Sequence, residues 1–123
     1  MIRNQKGFTL LEIIAVLVIL GILAAVAVPK YISLLEEARI SAAQGAIAEV
    51  KGRASGYYGL FILRTGAGPT IASVLASVGT PTPDLGPDYG VTTAAVASGI
   101  SISVGTVKGV AITAATGTWM YPQ

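Results

Sequence analysis

The chain contains no cysteine and no histidine, and only 11% of its residues are charged. Without cysteine, a disulfide scaffold, a thiol nucleophile and a thiolate metal site are all excluded. Without histidine, the usual general base and the commonest metal ligand are missing. An enzyme built on this chain would have to work with six carboxylates. A surplus of one charge is also lacking. Arg3 and Lys6 account for the net charge of +2, and the rest of the chain balances six basic against six acidic side chains. That balance leaves no electrostatic footprint for phosphate, and no nucleic acid is indicated. Nothing in the sequence calls for a cofactor.

Apolar residues are abundant. They make up 53% of the 123 residues, with a mean hydropathy of +0.72, more than one small water-exposed domain requires. The excess is concentrated near the start, where Ile13 to Val28 gives sixteen residues without a charge. Counted from Phe8, twenty-one residues precede Pro29, with Glu12 as the sole charge among them. About 20 such residues cross a bilayer as a helix. A carboxylate at the centre of a membrane helix costs about 2.5 to 3.5 kcal/mol, so one placed in an apolar run is usually there for a partner. Glu12 therefore reads as a functional residue. By composition alone two other readings exist. One is a conventional signal peptide cut after Ala25-Val26-Ala27, and the other is a plain anchor with Lys6 at the inner face.

The order Lys6-Gly7-Phe8-Thr9-Leu10-Leu11-Glu12, followed by the apolar run that closes in Ala24-Ala25-Val26-Ala27-Val28-Pro29, resembles the signal of type IV pilins and of the pseudopilins of type II secretion systems. The resemblance extends from Lys6 to Tyr31, about the first quarter of the chain. It implies a leader of residues 1–7, cleavage between Gly7 and Phe8 by a prepilin peptidase, and N-methylation of Phe8 by the same enzyme. It implies that the apolar segment 8–29 is retained, first among membrane lipid and then in a filament. Glu12 would pair with the Phe8 ammonium of a neighbouring subunit, and Pro29 would mark where the packed helix can melt. The implied partners are other copies of the subunit, forming a homopolymer, and an inner-membrane assembly platform with its ATPase. In a double-membrane cell an outer-membrane secretin joins them. The C-terminal disulfide common in that family cannot form here.

The residues support these roles on physical grounds. Gly7 could be a simple turn glycine, but a peptidase cutting at a membrane needs an unobstructed backbone, which a residue without Cβ supplies. A carboxylate one turn into a helix relieves the unfavourable encounter of an N-terminal ammonium with the helix dipole. Pro29 removes one backbone hydrogen bond and should kink or loosen the helix.

After Pro29 the apolar positions Ile32, Leu35, Ala38, Ala42, Ala46, Val50 and Ala54 recur at the helical period. Segment 30–55 therefore reads as an amphipathic continuation of the same helix, from about Phe8 to about Ala54, with Gly52, Gly56 and Gly59 punctuating its end. Glu36 with Arg39 and Glu49 with Arg53 are spaced to pair along its surface. Residues 56–123 read as a β-rich head. Tyr57 to Leu63 carries the chain away from the helix. A two-turn helix capped by Thr70 runs through Ile71, Val74, Leu75 and Val78 to Gly79, and Thr80 to Gly90 forms an irregular loop. Asp84 and Asp88 could supply oxygens to Ca²⁺, although turn formation after Pro83 and Pro87 is the ordinary explanation. Ile100 to Val104 alternates as a strand. Pairing Ile102 with Val110 and Ile100 with Ile112 requires a three-residue loop, Gly105-Thr106-Val107. A last strand, Thr118 to Tyr121, closes the sheet.

The expected fold is α+β, type IV pilin-like: a long N-terminal helix, its apolar first half spanning the membrane or filament core, packed against a small antiparallel sheet of three or four strands. The expected role is structural, not enzymatic. The subunit would be held in the inner membrane as a single-pass precursor and then built into a surface filament. The nearest rival is a pseudopilin in a periplasmic filament, and a third reading is a secreted or anchored β-rich binding domain.

Overall fold

The computed structural model describes residues 7–123, which form two compact units, one up to Leu35 and one of Glu36–Gln123. The leader residues Arg3 and Lys6 lie outside the described residues. Helix α1 covers Leu10–Thr65 and α2 covers Ile71–Val78; strands β1 (Tyr89–Val96), β2 (Gly99–Val107) and β3 (Val110–Met120) follow. The fold is α+β, as the sequence pattern requires.

In the first unit no side chain of Phe8 to Val28 is covered. Phe8 is 85% exposed, Leu17 62% and Leu23 60%. Pro29 lies inside α1; having no N–H, it leaves the carbonyl of Ala25 without its intrahelical donor.

The second unit has its own core. Ala43, Ala46, Ile47, Val50 and Ala54 of α1 are buried with Val74 and Val78 of α2 and with Val91, Ile100, Ile102, Val104, Val107 and Trp119 of the sheet. Burial along α1 starts later than the apolar period suggests: Ile32, Leu35 and Ala38 are exposed, and the buried positions begin at Ala43. Of the two expected ion pairs, Arg53 with Glu49 forms, at 2.9 Å.

Helix α1 also runs eleven residues beyond the Ala54 end expected from its glycines. Gly52, Gly56 and Gly59 lie within it, and a Cβ on any of them would meet nothing within 4 Å. Each costs the helix about 1 kcal/mol relative to Ala. Aromatic packing offsets that cost: Tyr57 stacks on Phe61 one turn later, with ring centroids 5.9 Å apart, and Tyr58 meets Trp119 at 6.1 Å and Tyr121 at 5.4 Å. The helix ends at Gly66, whose φ of 71° breaks it while its N–H still reaches the carbonyl of Ile62.

Helix α2 follows the sequence closely. The Thr70 hydroxyl accepts from the Ser73 N–H at 3.2 Å, and Gly79 terminates the helix with φ 93°. In the loop that follows, Asp84 accepts from the Gly86 N–H at 3.0 Å, closing a turn.

The sheet has three antiparallel strands in the order β1-β2-β3. Its register differs from the expected one. Lys108 and Gly109, with φ of 51° and 73°, make a two-residue turn that sets Val107 opposite Val110. An irregularity between Val104 and Thr106 then shifts the pairing, so Ile100 faces Trp119 and Ile102 faces Gly117. The separate last strand is the far end of an unbroken β3. Ile100, Ile102 and Val104 point inward, and Ser101 and Ser103 alternate outward. Gly117 permits the close approach of β3 to α1, since a Cβ there would stand 2.6 Å from Cγ2 of Ile47.

Candidate functional site

The site predicted from sequence lies at the start of α1, which is fixed by two reciprocal bonds. The Thr9 carbonyl accepts from the Ile13 N–H, making Thr9 the residue that caps the helix. Its hydroxyl accepts from the Glu12 N–H at 3.2 Å, and the Glu12 Oε2 accepts from the Thr9 N–H at 3.0 Å. This is a capping box, in which threonine and a glutamate three residues later satisfy each other's backbone donors. Phe8 and Ile13, just before the cap and four residues after it, line one shallow groove with Glu12, Val16 and Leu17, the placement of a hydrophobic staple.

Glu12 is therefore already engaged within its own chain, and through one oxygen only. Oε2 holds the cap, while Oε1 makes no hydrogen bond among the described residues. The carboxylate can serve the helix start and still offer an oxygen to a cation.

Gly7 and Phe8 are non-helical and exposed. A Cβ at Gly7 would meet nothing within 4 Å. None of the described residues demands glycine there. Pro29 is more than four turns further along α1, so the structure brings Phe8 and Glu12 to one groove, with Gly7 next to Phe8 in the chain, and leaves Pro29 apart. Thr9 is the residue that the sequence reading passed over. Its signal was present as Thr9-x-x-Glu12 at the head of an apolar run.

Elsewhere, no group of three acidic side chains among the described residues is arranged to hold a metal ion. Asp84 is occupied by its turn and its carbonyl accepts from Arg53, while the carbonyl of Asp88 accepts from the Lys108 N–H.

The family described as the prokaryotic N-terminal methylation motif matches residues 2–28. The type II secretion system core protein G of Pseudomonas aeruginosa is 53% identical over 45 residues, 37% of this chain and 32% of that protein. The fimbrial protein EcpC of Eikenella corrodens is 44% identical over 54 residues, 44% of this chain and 35% of its own length. The type IV narrow pilus major component PilA5 of Thermus thermophilus is 51% identical over 35 residues, 28% of this chain and 30% of that protein. The chain thus spans about a third of the length of the curated relatives it matches. No solved structure matches it. Residues 2–28 thus match the methylation motif, and part of the chain is similar to fimbrial proteins and to a type II secretion core protein.

Proposed function

We propose that this protein is the structural subunit of a type IV pilus, polymerising through α1 into an extracellular filament. One observation carries the reading: the helix that begins within the methylation motif is long and apolar enough to cross a membrane, and its apolar segment is not buried. Such a surface needs lipid before assembly and other helices after it. Extraction then exchanges one apolar surrounding for another, so the step can be nearly balanced and run in either direction under the control of an assembly platform and its ATPase.

In this reading a prepilin peptidase hydrolyses the Gly7–Phe8 bond. Water is added, leaving a carboxylate on Gly7 and an amino group on Phe8. The neutral amine then takes a methyl group from a sulfonium methyl donor on the same enzyme, releasing the donor as a thioether together with a proton. The methylated amine is again an ammonium at neutral pH. The Phe8 ammonium of an incoming subunit pairs with Glu12 of its neighbour, a buried pair that sets axial register more than it adds stability. Pro29, with the Ala25 carbonyl unbonded, is the point where the helix melts on packing. The precursor resides in the inner membrane and the product on the cell surface.

A second reading has its own support in the 53% identity to the secretion core protein, and makes the product a short periplasmic filament. Electron micrographs of cells separate the two, because only the first gives long surface filaments.

Gly7→Val tests the processing step. The added side chain has free space in the chain itself, so its expected effect falls on the peptidase alone: the full-mass precursor accumulates in the inner membrane and no filament forms. Normal leader removal from this variant, read by intact mass, would remove the cleavage from the account.

A further inference from the structure

We propose that Thr9 is a positioning residue for leader removal, keeping the Gly7–Phe8 peptide outside the helix by fixing the helix start through its box with Glu12. The inference rests on the processing proposed above. A peptide bond inside a helix has its carbonyl hydrogen-bonded and its faces shielded, so a peptidase acts on backbone that the helix has not taken up. In an apolar setting, however, a helix end is under pressure to lengthen, because its first N–H groups have no intrahelical acceptors and cannot turn to water. One more turn upstream would supply those acceptors. Counting four residues back, the Leu11 N–H would take the Gly7 carbonyl and the Glu12 N–H would take the Phe8 carbonyl. The first of these is the scissile carbonyl itself.

The box opposes that outcome indirectly: it leaves the Leu11 N–H unheld but occupies the donors on either side of it, so the extra turn that would bring the Gly7 carbonyl to Leu11 can form only if the box is broken. The Glu12 N–H is already held by the Thr9 hydroxyl at 3.2 Å, and the Thr9 N–H by the Glu12 carboxylate at 3.0 Å. The helix starts at Leu10, and Gly7 and Phe8 stay exposed and non-helical. Phe8 and Ile13 line one groove at the same helix end, in the positions of a hydrophobic staple. Glu12 then has two separable duties. Its shape and acceptor oxygen serve the box before cleavage, and its charge serves the ammonium afterwards. Glutamine fills the first role as well as glutamate does, but not the second.

The test compares the full-length chain with Thr9→Val, Thr9→Ser and Glu12→Gln in membrane vesicles carrying the prepilin peptidase, with loss of residues 1–7 followed by mass. Valine keeps the branched shape and loses the acceptor, so cleavage should slow about fivefold or more, the factor that matches the usual worth of an N-cap. Serine at position 9 keeps the acceptor and Glu12→Gln keeps the box, so both variants should be cut at near the wild-type rate. Backbone chemical shifts of the uncleaved chains in detergent micelles supply a readout independent of the peptidase: in Thr9→Val the helix should extend upstream across Gly7. Wild-type cleavage of Thr9→Val overturns the inference. So does equal slowing of Thr9→Ser, which would mean that the peptidase reads the side chain directly, and so does slow cleavage of Thr9→Val with an unmoved helix start. If the wild-type chain itself is not cut between Gly7 and Phe8, the processing proposal fails, and this inference with it.

Discussion

Glu12→Gln is expected to be cleaved normally, to sit in the membrane at wild-type level, and to give few or no filaments. The substitution keeps the size of the side chain and its ability to close the Thr9 box, so the helix start is intact and the loss can be assigned to charge. The box uses Oε2 of Glu12, and Oε1 is the oxygen available to a neighbour's ammonium. In the variant that position is filled by an amide NH₂, a donor facing donors. Removing one partner of a buried pair leaves the other charged and unpaired, a penalty of about 3 to 5 kcal/mol. That corresponds to about two to three and a half orders of magnitude in the association constant of every subunit added. If Glu12 merely tolerated its position, neutralising it would ease the membrane helix and leave assembly untouched. Sheared filament per cell, measured against membrane subunit in the same cells, distinguishes these outcomes, and wild-type filament yield would remove the pairing from the account.

The second large effect is expected in the head. The unit Glu36–Gln123 holds its own core, and a fragment with those ends should melt cooperatively as a monomer. Trp119 joins several of its parts. It is 6% exposed, its Nε1–H donates to the Ser55 hydroxyl at 2.9 Å, and its ring meets Tyr58 and Tyr121. Tyr121 in turn donates to the carbonyl of Pro69 at 2.6 Å. With no cysteine in the chain, this aromatic group is what ties the last strand to α1 and to the segment before α2. Trp119→Ala should destabilise the fragment by about 3 to 5 kcal/mol, a large part of the roughly 5 to 15 kcal/mol typical of a whole domain. Ser55→Ala should cost only about 1 kcal/mol, the usual worth of one hydrogen bond. Urea titration of the three fragments measures both, and a Trp119→Ala midpoint close to wild type would mean that the aromatic group is peripheral.

What the sequence disclosed, and what it hid, follows from the range of the forces involved. The leader junction, the apolar run and α2 are local signals: a cap, a period and a terminating glycine sit within a few residues of one another, as Thr70, Val74 and Gly79 do. The end of α1 was hidden because it is decided at long range. Gly56 and Gly59 argue for a break; against it stand the Tyr57–Phe61 pair within the helix and, out of reach of a local reading, the packing of Tyr58 on Trp119 and Tyr121, more than sixty residues away. The hairpin register was hidden because Lys108 adopts a positive φ, which its residue type does not announce. The role of Thr9 is legible in the chain: Glu12 is a charge in an apolar run, and its position three residues after a threonine carries a second meaning, the capping box.

The central claim is that this chain is cut between Gly7 and Phe8 and polymerises with its apolar helix retained. The most direct test is the intact mass of the subunit in filaments sheared from the cell surface. The expected mass is that of a chain that begins at Phe8 and carries one added methyl group. A chain that begins at Val28, after removal of a conventional signal ending in Ala25-Val26-Ala27, or one that still carries Met1, would contradict it.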